Sequence, residues 1–242
     1  MKARLAFFLS SRMLRGKDGT ARYLRGSVLG IALSLVPLIV VIEVSTGMIE
    51  GITARLLEVG TYHIQVSLPG NTPLADMEKR SDVIAKVPGV VAAIPERQGT
   101  GLLVAARGAA GVTLRCVPSD VFSLDPGFRS HVSVKSGTAD LSRSDSLLVS
   151  TALADSLGVG AGDRISLLTT FGENLSGPPR LTQVQVAGLY ETGYQELDKT
   201  LVYGSLDLAA KVLSQRAARA MIGVKVKDPF GDLSGVTGKI SE

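Results

Sequence analysis

The sequence predicts an α+β fold: one N-terminal transmembrane helix running on as a stalk, followed by a mixed α/β extracytoplasmic domain. Three observations predict it. The run Gly26–Val44 holds 19 residues and one charge. Seven basic side chains (Lys2, Arg4, Arg12, Arg15, Lys17, Arg22, Arg25) and one acidic residue, Asp18, fall within residues 1–27. Beyond the run, short stretches alternating with period two outnumber helical ones, and Gly or Pro separates them.

A helix of 19 residues is about 28 Å long, close to the hydrocarbon thickness of a bilayer. Between Val28 and Ile42 the only polar side chain is Ser34, so the run lacks the polar face of a soluble core helix. A secretory signal is the rival reading. Its apolar region usually spans about 7–15 residues and ends at a small-residue cleavage site. Here the run is longer, and "EVSTGMIEG" offers no A-x-A pattern. An uncleaved span is therefore expected. Pro37 reads as a tolerated kink, and Glu43 as a carboxylate at the far interface.

The basic residues before the span keep the N-terminus cytoplasmic. This divides the chain into a cytoplasmic basic segment, 1–26, a span, 27–45, and an extracytoplasmic domain, 46–242. Within the first segment, Leu5, Phe8, Leu9 and Arg12 are spaced for a short amphipathic helix at the interface; a basic tail is the other reading. Past residue 27 the chain carries 19 basic and 21 acidic residues. Its basicity is thus a membrane address rather than a nucleic-acid surface.

After the span, Met48, Ile52, Leu56 and Val59 continue a helical period, with Gly60 as the stop. "YHIQVSL" alternates as a strand. Ala75–Val87 reads as a helix ended by Pro88-Gly89. The stretch from Val90 to Val117 reads as strands broken at Pro95 and at the glycines around 108–111. Residues 118–147 read as turn-rich. "SLLVSTALADSLGVGAGDRISLLT" gives strand, helix (151–157), glycine turn and strand. "LTQVQVAGLYE", "KTLVYGS" and "AMIGVKV" read as strands and "LDLAAKVLSQ" as a helix. A final helix begins in "DPFGDLSGVTGKISE". Three or four short helices are expected in all.

No catalytic constellation emerges. "GVGAGD" (Gly158–Asp163) resembles a phosphate loop, but a helix precedes it and a strand follows, the reverse of what a dinucleotide fingerprint needs. Gly158 reads as a helix cap and Gly160–Gly162 as a turn. Neither G-x-x-x-x-G-K-[ST] nor G-x-S-x-G occurs, so no ATPase or hydrolase activity is expected of this chain. His63 and His131 stand apart from any metal-ligand spacing. The single cysteine, Cys116, allows no intrachain disulfide and reads as a small buried hydrophobe. Asp145, Asp155 and Asp163 read as surface, cap and turn carboxylates. No metal or cofactor is expected.

Several stretches, in order, resemble one family. "SSRMLRGKDG" looks like the approach to the first span of lipoprotein-releasing permeases, and the segment from Ser27 to Val66 looks like their span, stalk and first outer strand. "VPGVVAAIPERQGTGLLV", "LLVSTALADSLGVGAGDRISLL" and "VQVAGLYETGYQELDKTLVYGSLDLAAKVL" resemble their outer domain. The resemblance covers residues 5–235 and is to LolC/LolE-type permeases, within the MacB/FtsX-like ABC transporter permeases. It implies a MacB-like periplasmic domain and an inner-membrane location. It also implies a separate cytoplasmic ABC ATPase subunit, a second permease copy or homologue, lipoprotein cargo and a soluble periplasmic carrier. Efflux or envelope signalling by a MacB/FtsX-like permease, and a membrane-anchored binding module, are the alternative functions. The family has four spans, three after the outer domain, so the chain is expected to be the N-terminal part of such a permease, C-terminally incomplete. In some members a hairpin between two strands holds the carrier. The resemblance puts that hairpin at residues 169–180, with Phe171, Pro178, Pro179 and Arg180 as candidate contacts; an ordinary exposed hairpin is the other reading.

Overall fold

The computed structural model describes residues 19–169, 180–214, 218–229, 231 and 233–241. The chain divides into two units, Met1–Thr53 and Ala54–Glu242. Helix α1, Gly19–Arg55, runs for 37 residues with Pro37 inside it. Every described side chain from Arg25 to Gly51 is exposed, among them Leu33 (75%) and Val44 (64%). Among the described residues, this is the one helix long and apolar enough to cross a membrane.

The second unit is built on a nine-stranded sheet. Its strands are β1 (Ile64–Leu68), β2 (Val90–Ala105), β3 (Gly108–Val117), β4 (Ser133–Gly137), β5 (Ser146–Ser150), β6 (Arg164–Thr169), β7 (Arg180–Glu191), β8 (Leu201–Ser205) and β9 (Arg219–Val226). The order is β1-β9-β2-β3-β8-β5-β7-β4, with β6 bridging β2 and β7. β3 with β8 and β5 with β7 are parallel; the other pairs are antiparallel. Strand alternation splits the interior. Leu114, Cys116, Leu147, Val149 and Val202 enter one core cluster, while Leu148, Val117 and Tyr203 enter another with Val59, Tyr62 and Phe128. A third cluster joins Ile84, Ile222, Val224 and Val226.

The helices of this unit are α2 (Leu74–Ala85), α3 (Val121–Leu124), α4 (Pro126–His131), α5 (Thr151–Leu157), α6 (Gln195–Asp198), α7 (Leu206–Val212) and α8 (Ser234–Ser241). Three of these, α3, α4 and α6, have four to six residues, and they account for the excess over the three or four expected. Two of them, with β4, lie in the stretch read as turn-rich.

The expected break at Pro95 is corrected: β2 runs straight through it. Pro95 pairs with Ile222 of β9, while pairing with β3 begins at Arg97. At Pro95 the strand is therefore still an edge on one side, the position where a missing N–H opens no ladder bond.

The segment β5-α5-turn-β6 forms as its residues dictate. Ser150 caps α5 by accepting from the Leu153 N–H at 3.1 Å, and Gly158 ends it at φ +67°. Asp163 accepts from the Gly160 N–H at 2.7 Å and so closes the glycine turn. The Ser150 hydroxyl also donates to the Asp198 carbonyl. Ser150→Ala removes both bonds at a fully buried site and is expected to cost about 1–2 kcal/mol. Chemical denaturation of the full chain in detergent measures it; an unchanged midpoint would refute the dual role.

Candidate functional site

The long helix does not end in an ordinary α-turn. Leu56–Gly60 form a π-turn closed by the Thr61 N–H on the Leu56 carbonyl at 2.9 Å. A helix end leaves carbonyls without intrahelical partners. Here the sheet supplies cations for them. Arg115 of β3 donates to the Val59 carbonyl, as does the Tyr203 hydroxyl at 3.3 Å, and Lys225 of β9 donates to the Glu58 carbonyl at 2.7 Å. Positive charge at a helix C-terminus is also favoured by the helix dipole.

Each cation carries its own buried counter-charge. The Arg115 guanidinium grips Glu96 of β2 with two bonds, Nε to Oε1 at 2.8 Å and Nη2 to Oε2 at 2.6 Å. The Tyr62 hydroxyl donates to the same Oε2 at 2.5 Å. Arg115 lies over the rings of Tyr62 and Tyr203, 5.2 and 5.7 Å from their centroids. Beside this set, the Lys225 ammonium pairs with Glu58 at 2.6 Å and with Asp125, the N-cap of α4, at 2.7 Å. Glu96 is 0%, Arg115 2%, Asp125 2% and Lys225 3% exposed.

Alternation explains how charges reach this place. Leu114 and Cys116 point to one core, so Arg115 between them points to the other; Val224 and Val226 do the same for Lys225. Two glycines make the room. A Cβ on Gly127 would sit 1.8 Å from Glu58 Oε2, and one on Gly223 would sit 2.3 Å from three carbons of the Tyr62 ring. Edge-to-face contacts from Phe122 through Phe128 and Tyr203 to Tyr190, at 5.0–5.2 Å between centroids, wall the site.

Burial by itself would lower the Arg115 pKa, but the Glu96 carboxylate holds it well above the ordinary range. Burial, then Glu96, raises that of Tyr62. Both therefore stay in the charge states that make the joint. Burial also raises the Cys116 thiol, which leaves it inert.

Nothing in this arrangement is a nucleophile paired with a base. Ser130 and His131 are adjacent in α4, with Oγ and Nδ1 2.9 Å apart, but both reach the Gly127 carbonyl. That carbonyl can only accept, so Nδ1 carries the proton and is no base for Ser130. Asp145 pairs with Arg143 at the surface. Among the described residues, no group of three His, Cys, Asp or Glu is placed to hold a metal.

Of the candidate hairpin contacts, Phe171, Pro178 and Pro179 lie outside the described residues. Arg180 opens β7 and is paired in register with Thr169, so residues 170–179 join two adjacent antiparallel strands, β6 and β7. The six residues of the joint (Glu58, Tyr62, Glu96, Arg115, Asp125, Lys225) were not singled out by sequence reasoning. Three of them lay in strand runs where a charge was a signal: Arg115 in "TLRCV", Glu96 in "AIPERQ" and Lys225 in "IGVKV".

Fold and site together define an α+β domain carried on a long apolar helix whose end is clamped by buried ion pairs. No protein-family model matches the chain. It is 28% identical over 235 residues, 92% of its length, to the lipoprotein-releasing system transmembrane protein LolC of Xylella fastidiosa, of which it covers 54%. It is 28% identical over 206 residues, 84% of its length, to the protein of the same name from Neisseria meningitidis, of which it covers 49%. The chain thus spans about half the length of the curated relatives it matches. Among solved structures, it is similar to the extracellular domain of the noncanonic ABC-type transporter YknZ from Gram-positive bacteria (TM-score 0.47, 14% identity, 71% of this chain and 86% of that one). It is also similar to the periplasmic region of MacB from Actinobacillus actinomycetemcomitans (TM-score 0.44, 13% identity, 76% and 82%).

Proposed function

We propose that the chain is the N-terminal part of a permease subunit of an ABC transporter that releases lipoproteins from the inner membrane. The observation that carries this reading is the similarity to proteins named LolC along 92% and 84% of the chain. The exposed apolar surface of α1 supports a membrane span at residues 27–45. The basic residues before it support a cytoplasmic N-terminus, with residues 46–242 in the periplasm.

In this reading the chain performs no bond chemistry. A separate cytoplasmic ATPase drives movement, a second permease copy or homologue completes the membrane unit, and the periplasmic domain does mechanical work on the cargo. The joint that ties the π-turn Leu56–Gly60 to the sheet suits that task. A helix end tied to β3 and β9 by Arg115 and Lys225 delivers displacement to a nine-stranded sheet instead of dissipating it in a loop. The β6–β7 hairpin tip, with Phe171, Pro178, Pro179 and Arg180, is the docking point for a soluble periplasmic carrier.

Depletion of the full-length protein in cells tests the reading. Lipoproteins are expected to accumulate in the inner-membrane fraction, and an unchanged distribution would overturn it. Replacing residues 170–179 by a short Gly-Ser turn is expected to weaken capture of the carrier at least about tenfold, a loss of about 1.4 kcal/mol. Unaltered capture would remove the hairpin from the docking surface.

A further inference from the structure

His63 occupies an unusual place beside the joint. Its side chain is 3% exposed. The Val226 backbone N–H donates to its Nδ1 at 3.0 Å. A backbone amide can only donate, so Nδ1 must be the bare nitrogen and the proton of the neutral ring must sit on Nε2. That Nε2 has no hydrogen-bond partner, although Glu58 Oε1 lies only 3.7 Å away. The ring is thus held on one side and left orphaned, facing a carboxylate, on the other.

We propose that His63 is an acid-operated latch on the helix-end joint: when neutral it holds β9 at Val226, and when protonated it releases Val226 and pairs with Glu58. The geometry dictates both halves. Adding a proton to Nδ1 sets N–H against N–H and ends the bond to Val226. The cation then seeks an acceptor, and the nearest is Glu58, whose Oε2 is already held by Lys225 at 2.6 Å. Glu58 belongs to the π-turn, so protonation also pulls on the segment that ends the long helix.

The charged groups facing the ring are Glu58 from the π-turn, Lys225 from β9 and Asp125 from the N-cap of α4. Two carboxylates and one ammonium leave this pocket one positive charge short, which a protonated His63 would supply. Burial lowers the His63 pKa, Glu58 opposes that and Lys225 adds to it. The sign of the pH effect follows. With the folded-state value below the ordinary one of about 6.5, the unfolded chain binds the proton more readily. The latch therefore contributes fully above pH ~6.5, and its contribution is lost as pH falls through the lower folded-state value.

This latch is independent of what the transporter carries. It is tested on the full chain in lipid nanodiscs by histidine NMR and by hydrogen exchange at the Val226 amide, corrected for the intrinsic pH dependence of exchange. The chain has two histidines, so the imidazole signals separate readily. Near neutral pH the His63 ring is expected as the Nε2–H tautomer. As His63 titrates, Val226 protection is expected to fall about five- to tenfold, the equilibrium equivalent of one lost hydrogen bond. His63→Asn, whose amide oxygen can accept from Val226 without titrating, is expected to abolish that fall. An Nδ1–H tautomer at neutral pH, or unchanged Val226 protection once His63 is charged, would overturn the latch. So would the same loss of protection in His63→Asn. The first two readouts need only the wild-type chain, so a poorly folding variant does not spare the proposal.

Discussion

Arg115→Met is expected to destabilise the domain by about 3–5 kcal/mol, because it leaves a buried carboxylate without its cation. Glu96 is 0% exposed and would keep only the Tyr62 hydroxyl; the Val59 carbonyl would keep only Tyr203 at 3.3 Å. Methionine replaces the aliphatic stem of the arginine, so the loss comes from the missing cation and the volume the guanidinium vacates. Chemical denaturation of the full chain in detergent, followed through its tyrosines in the absence of tryptophan, measures the effect. The double variant Arg115→Met/Glu96→Gln removes both charges of this pair. Its loss is expected to fall short of the sum of the single losses by about 1–3 kcal/mol. An additive double variant, or a single variant within about 0.5 kcal/mol of wild type, would mean that the pair is not coupled.

What was legible in the sequence was what depends on neighbours along the chain. The length and apolar character of Gly26–Val44 announced the long exposed helix α1. The β5-α5-turn-β6 segment followed from Ser150, Gly158 and the alternation around them. Pro95 misled because its local rule is about backbone donors, and only the register of β2 shows that none is missing there. Helices α3 and α4 are too short for a period to show, although the Asp125-Pro126 pair is a cap followed by a first-turn proline and could have marked α4. The joint was illegible for a different reason. Its residues come from the π-turn and the loop after it, β2, β3, β9 and the start of α4; sheet order brings the strand residues together, and packing on the sheet adds the rest. A charge in an apolar strand says that a partner exists; it does not say which.

Arg115 and Lys225 serve the same helix end in different ways. Arg115 fixes the Val59 carbonyl by a planar group held between two tyrosine rings, a geometry that lysine could not reproduce. Lys225, a single ammonium, gathers three acceptors from two segments: the Glu58 carbonyl, the Glu58 carboxylate and Asp125. The first ties the π-turn to β3, and the second ties it to β9 and the start of α4. Displacement of the helix end must therefore be shared by strands on both sides of β2, or one of the two ties must break.

Lys225→Met separates those ties. It leaves Asp125 and Glu58 facing each other with no cation between them, and an expected loss of about 3–5 kcal/mol follows from the uncompensated buried charge. Gly127→Ala perturbs the same tie from the other side. Its methyl would meet Glu58 Oε2 at 1.8 Å and must push that carboxylate off Lys225. Because the displaced group is the end of a flexible side chain, and Asp125 still holds the ammonium, the loss is expected to be smaller, about 1–3 kcal/mol. In both variants hydrogen exchange should quicken at Leu56–Gly60 and around Val226, while the β6–β7 ladder, which shares none of these residues, keeps its protection. Uniform quickening across the sheet would show that Lys225 supports the whole domain. Gly127→Ala costing more than Lys225→Met would place the main constraint in α4 packing instead of in the ion pair.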